Sequence, residues 1–418
     1  MSIIKRTADA LEKARAIGGR DGFNCIAELD PSAMEQAEQV GRQNKQNMAP
    51  VWGMPVLVKD NIDVQGLHTT AGSLALSDNI AKEDAPIVKN LRRNGAVIIG
   101  KTNMTEFANY TTEDMPGGYS SRGGQVIHAA DPALSPSGSS SGSGVAVAAG
   151  IVPAAVGTDT SFSVIACAQQ NGICGLKPPV GALPSAGIIP IAKTLDSAGA
   201  MAGCFSDALH LYSAMRDEPL PAVHAASAGG LRFAVNTANR DRVSPGQTDF
   251  IANAVSALKA NGAQIDFIEQ GPSIHQRTIM QWEFRAHLEE YLLASCASRK
   301  TLREIVAYYE ENPETMMKYG AVLLKRALEE APGGLQGAEY LQAMEKRAEA
   351  ICVQGQAIAG YDAVIMTGPT NIMHFCGWPS VTVASKQKNE HGVARCLIMY
   401  GTNEERLYSA ALAVENLI

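Results

Sequence analysis

A chain of 418 residues is long enough to bury a sizeable core, and 46% hydrophobic with 18% charged residues excludes both a disordered tail and a membrane-embedded protein. A net charge of -7, with no run of Lys and Arg, excludes attraction to a nucleic-acid backbone. Eight cysteines without a C-x-x-C pair or a Cys/His cluster read as buried reduced thiols, so neither a disulfide framework nor a metal site is expected.

The first segment, MSIIKRTADALEKARAI, places Ile3, Ile4, Thr7, Leu11 and Ile17 at helical spacing with charges between them. It lacks the apolar block of a signal peptide, and a cytoplasmic location is expected. Asp30-Pro31 before SAMEQAEQV and Asp84-Ala85-Pro86 both look like N-caps followed by proline at the first helical position. Short β-rich runs follow at Pro55 to Val58, Ala96 to Ile99 and Ala154 to Val156, so helices alternate with strands as in an α/β sheet.

Residues 135–144, SPSGSSSGSG, have the composition of a flexible linker but run straight into VAVAAG and another strand-like stretch. They are read as a loop inside the core. From about 205 to 360 the period is helical, as in FRAHLEEYLLASC and AEYLQAMEKRAEAI, and this part is expected to pack over the sheet and shape a pocket. The tail returns to strands at Ala363 to Met366, Ser380 to Ala384 and Cys396 to Met399, then closes on a helix.

Two motif matches are rejected on context. Gly95 to Thr102 spells a phosphate-binding loop, but its inner residues Ala-Val-Ile-Ile are themselves a buried strand. Gly138-Ser-Ser140-Ser-Gly142 spells a nucleophile elbow, but no strand precedes it.

The third motif is carried by most of the chain. Ser137 to Gly181 contains a Gly/Ser loop, then Gly157-Thr-Asp-Thr-Ser-Phe-Ser163, then Gly172 to Pro178 with the pattern G-x-x-G-x-K-P. Around it, in order, stand Val58-Lys59-Asp60-Asn61-Ile62, Thr70-Ala-Gly-Ser73, Gly100 to Phe107 and Gly377-Trp-Pro-Ser-Val381. These landmarks resemble the amidase signature family. The resemblance implies an α/β fold with a central mixed β-sheet flanked by helices. It also implies one domain over 1–418, with a signature core at about 55–204 and a substrate-shaping helical part at about 205–360.

It further implies a triad of Lys59, Ser139 and Ser163, with Ser139 chosen over Ser140 and Ser141 because it lies 24 positions before Ser163, as is usual in the family. The family holds the relay serine after a cis peptide, here Gly138-Ser139. The oxyanion hole is expected from the backbone N–H groups of Thr160, Ser161, Phe162 and Ser163. The chemistry agrees, because a serine hydroxyl needs a base to attack an amide, and burial pushes lysine toward the neutral form that can act as one. Asp159 and Lys177 are read as structural, and Cys167 and Cys174 as small core residues.

The chain departs from the family at Ser161-Phe162, where the pattern has Gly-Gly, and at Val164-Ile-Ala166, where many members carry an arginine. Phe162 is expected to intrude beside Ser163, and an anionic acyl group is not expected to be held through residues 164–166. The expected activity is hydrolysis of a small-molecule carboxamide, with no cofactor. The alternatives are the amidase subunit of a tRNA-dependent amidotransferase and an amidase-fold binding protein with impaired catalysis. Oligomeric state is not legible, and a homodimer is left open.

Overall fold

The computed structural model describes residues 2–43, 49–220, 222–224, 227–331 and 334–418. Its centre is an eleven-stranded mixed sheet. In spatial order the strands are Ile26–Leu29, Val97–Thr102, Pro55–Lys59, Ala154–Asp159, Ser197–Ala202, Cys174–Lys177, Ser380–Lys388, Ala394–Tyr400, Ala363–Met366, Arg232–Asn236 and Gln264–Ile268. Helices cover both faces.

The central strand Pro55–Lys59 shows why these sequences form such a sheet. All five residues are buried, as expected of a parallel strand covered on both sides. Val56 and Val58 face one apolar layer, and Leu57 faces the other. This strand pairs in parallel with both Val97–Thr102 and Ala154–Asp159, Val58 lying opposite Val156. The ends of two parallel strands, Lys59 on one and Thr158-Asp159 on the other, therefore reach the same edge, the position where α/β sheets place their chemistry.

The phosphate-loop lookalike is confirmed as strand: Val97–Thr102 is buried throughout, and Lys101 Nζ donates to the His68 carbonyl at 2.9 Å and to Thr69 Oγ1 at 3.2 Å. The last four residues of the Ser/Gly patch differ from the loop expected of them. Ser141–Ala148 is a helix, and Gly142 sits in its first turn because a Cβ there would lie 2.3 Å from the Asn103 carbonyl oxygen and 2.5 Å from that of Cys25. The patch is glycine-rich for close backbone approach rather than for flexibility.

Several expectations need correction. The helix after Asp30-Pro31 begins at Ala33, because Asp30 Oδ1 accepts from both the N–H and the hydroxyl of Ser32 and forms a turn ahead of the helix. The 86–93 helix does open on Pro86, but its N-cap is Ala85, and Asp84 instead accepts the Gln65 N–H at 2.8 Å. The 205–360 part contributes two strands, Arg232–Asn236 and Gln264–Ile268, at one edge of the sheet in addition to its helices. Of the cysteines, Cys352 is exposed and Cys204 and Cys296 are partly so, while the other five are buried; all are free. Among the described residues, no helix is long and apolar enough to cross a membrane.

Candidate active site

Lys59 ends its strand fully buried. Its Nζ lies 2.8 Å from Ser139 Oγ, 2.9 Å from Ser140 Oγ, 2.8 Å from Thr158 Oγ1 and 3.2 Å from the Thr158 carbonyl oxygen. Hydroxyls and one carbonyl surround it, with no carboxylate in hydrogen-bond contact among the described residues. Burial pushes Lys59 down to about 7, against the pull of Cys167, Asp159 and Asp196, so a large neutral fraction exists near pH 7.

The two serines that touch Lys59 are not equivalent. Ser140 Oγ is also engaged with the Thr158 backbone, donating to its carbonyl at 3.1 Å and accepting its N–H at 3.2 Å. The Ser139 hydroxyl has Lys59 as its one hydrogen-bond partner among the described residues. The Gly138-Ser139 peptide is cis. A Cβ on Gly138 would lie 2.4 Å from Thr105 Oγ1, so the turn that presents Ser139 requires glycine.

Ser163 follows the Ala154–Asp159 strand by four residues and is 6% exposed. Its carbonyl accepts the Ser140 N–H at 3.3 Å, which ties the 160–163 loop to the Ser139-Ser140 segment. Asp159 Oδ2 accepts the N–H of Val164 at 2.7 Å and of Ile165 at 3.2 Å, fixing the chain just beyond Ser163. Burial would raise the Asp159 carboxyl, but His374, Lys177 and these N–H groups hold it down to about 2, so it stays ionised. Lys177 is buried and donates to the carbonyls of Pro178 and Trp378. Asp159 thus braces the chain next to Ser163, as its sequence context implied, whereas the hydrogen bonds of Lys177 go to Pro178 and Trp378 instead.

On the opposite side, Thr160 is held by two residues that the sequence did not single out. Its hydroxyl donates to Asp196 Oδ1 at 2.5 Å, and its carbonyl accepts from Gln276 Nε2 at 3.0 Å. Burial raises Asp196 to about 7 despite the hydrogen bonds from Thr160, Ile191 and Ala192. The Gln276 amide is oriented by the carbonyl it serves. Its Oε1 is therefore left buried without a protein partner.

Gly138, Thr160, Ser161, Ser163 and Gln276 line one open cavity of ≈ 470 Å³, whose wall also includes side chains from the helical part. Arg277 and Arg326 stand in its wall, 3.5 and 3.7 Å from Glu113. Val164 and Ile165 are in the core, so the cations beside this cavity come from the helical part instead.

Phe162 does not intrude beside Ser163. Its φ is 71°, a left-handed conformation costing a non-glycine residue about 1–2 kcal/mol, and its ring lines a different cavity with Ala166, Gln169 and Met366. The ring packs on His374, with centroids 4.3 Å apart, and the Phe162 N–H is directed at His374 Nε2 at 3.0 Å. His374 went unnoticed in the sequence. The available signal was a lone histidine three residues before the Gly377-Trp-Pro landmark.

Similarity to known proteins extends over most of the chain. The amidase family matches residues 11–374. A probable amidase of Arabidopsis thaliana is 32% identical over 374 residues, which is 83% of this chain and 72% of that protein. The fold is shared with an amidase family protein from Bacillus anthracis, at TM-score 0.91 and 28% identity over 100% of this chain and 88% of that one. It is shared equally with native peptide amidase from Stenotrophomonas maltophilia, at TM-score 0.89 and 29% identity over 100% of this chain and 93% of that one.

Proposed function

We propose that the chain, which belongs to the amidase signature family, hydrolyses a small-molecule carboxamide through an acyl-enzyme on Ser163. The observation that carries the reading is the 2.8 Å contact between Lys59 Nζ and Ser139 Oγ, in a buried setting that favours the neutral amine.

In this mechanism neutral Lys59 takes the proton of Ser139 as Ser139 takes that of Ser163, and Ser163 Oγ bonds to the amide carbon. The negative charge that develops on the carbonyl oxygen is met by backbone N–H groups of Thr160, Ser161 and Ser163, while the Phe162 N–H is held by His374. Loss of one such donor typically costs about 100-fold to 1000-fold in rate. The proton then returns through Ser139 to the departing nitrogen, the C–N bond breaks, and water attacks the acyl-enzyme by the same relay. Ser140 and Thr158 hold Lys59 in place.

The cavity supports a substrate of modest size. A peptide amidase among the structural relatives makes amino-acid and peptide amides a natural first class to test. Ammonia or amine release should be measured across aliphatic amides, aryl amides, urea derivatives and amino-acid amides. Turnover that disappears with Ser163→Ala supports the proposal; no turnover of any class, together with no covalent trapping at Ser163, rejects it.

A further inference from the structure

Phe162 occupies a left-handed backbone position inside the nucleophile loop, one residue before Ser163, where a glycine would need no support. Its carbonyl accepts the Ala166 N–H at 2.8 Å, and its other two contacts, through the N–H and the ring, are made by one residue. His374 receives its N–H at Nε2, and its ring packs against the phenyl ring at 4.3 Å with a 43° tilt.

His374 is well placed to act as a clamp. It is fully buried in the short helix Ile372–Cys376, whose Phe375 carbonyl is fixed by Arg347 Nε at 2.8 Å. Its Nε2 also lies 3.1 Å from Asp159 Oδ1, and Asp159 holds the chain on the far side of Ser163. Nδ1 is buried without a partner among the described residues, and Nε2 lies within reach of both groups but can serve only one at a time. With the proton on Nδ1 it accepts from Phe162, and with a proton on Nε2 it donates to Asp159. The ring stack persists in both states.

We propose that His374 is a positioning residue for the reaction: it holds Phe162 in the left-handed conformation and thereby aims Ser163 and the neighbouring N–H groups. It does for phenylalanine what conformational freedom does for glycine. The inference rests on Ser163 being the nucleophile and goes beyond it by coupling positions 162 and 374.

The test is a double-mutant cycle read by saturation kinetics of fluorophosphonate labelling on the full chain. The maximal labelling rate reports aim, and the labelled fraction reports how much protein is folded. His374→Leu should lower the maximal rate about 100-fold, the scale of a small misplacement of a reacting group, with half-saturation nearly unchanged. Combined with Phe162→Gly, the same substitution should cost less than about threefold, because coupled sites are not additive. Equal losses in the two backgrounds overturn the proposal. Should His374→Leu fail to fold, His374→Gln and His374→Asn carry the test. Gln reaches the Phe162 N–H and should retain most of the rate, whereas the shorter Asn should not. Equal rates for those two overturn it as well. Absence of labelling in the unmodified protein rejects the nucleophile assignment instead.

Discussion

Lys59 Nζ and Ser139 Oγ lie 2.8 Å apart although the residues are 80 positions apart in the chain. What joins them is the parallel pairing of Pro55–Lys59 with Ala154–Asp159 and the helix Ser141–Ala148, whose Ser143 hydroxyl donates to the Val156 carbonyl at 3.0 Å. The same pairing sets Thr158 beside the amine and leads directly into the loop that carries Ser163.

Ser139 and Ser140 touch the same amine but should differ in effect. Ser139→Ala removes the proposed relay and should lower turnover by about 100-fold to 10,000-fold, the range for losing general acid–base catalysis. Ser140→Ala removes a hydroxyl that braces Lys59 and Thr158 and should cost about tenfold or less, with part of the loss appearing as lower stability. Steady-state kinetics and thermal melts of both variants check this.

In the proposed mechanism Lys59 must be neutral to accept a proton, and burial has brought it down to about 7. Below that pH the ammonium predominates, so the labelling rate of Ser163 should fall about tenfold per unit of falling pH. Above it the rate should level off. A rate that climbs without a break to pH 10 would indicate an ordinary exposed lysine.

Gln276 supports the nucleophile loop from the helical part through the Thr160 carbonyl. Gln276→Leu should leave that carbonyl unpaired, cost about 1–3 kcal/mol of stability and reduce turnover. Chemical denaturation and kinetics on the same preparation measure both effects.

Gly142 has no room for a side chain. Gly142→Ala should force apart the Ser141–Ala148 helix and the Asn103 and Cys25 backbones, costing about 1–3 kcal/mol, as core overpacking does. The denaturation midpoint reports it, and an unchanged midpoint would contradict the close approach seen here.

Much of this was legible from residue pattern. The uniformly apolar run at Pro55 to Val58 and the tail strand at Ala363 to Met366 announce themselves by composition and flanking turns, and the spacing of landmarks around Ser163 pointed to the family. Ser197–Ala202, SAGAMA, was not legible, because a strand buried on both faces and built of small residues shows neither alternation nor β-branching. Arg232–Asn236 was hidden among helices, and its pairing partner Ala363–Met366 lies about 130 positions away.

Candidate site residues were legible where the proposed chemistry demands a residue type, as at Lys59, Ser139 and Ser163. They were not where support comes from across the fold. Gln276, Asp196 and His374 reach the nucleophile loop from separate elements, and nothing in their local sequence marks them. Phe162 was noticed as a departure, but the direction of its ring depended on His374.

The most direct measurement is fluorophosphonate labelling with the modified residue identified by mass spectrometry, comparing the unmodified protein with Lys59→Met. A single adduct on Ser163 is expected, formed at least about 100-fold more slowly in the variant while its melting transition remains cooperative. An adduct on another residue, or an undiminished rate at Ser163 without the lysine, would contradict it.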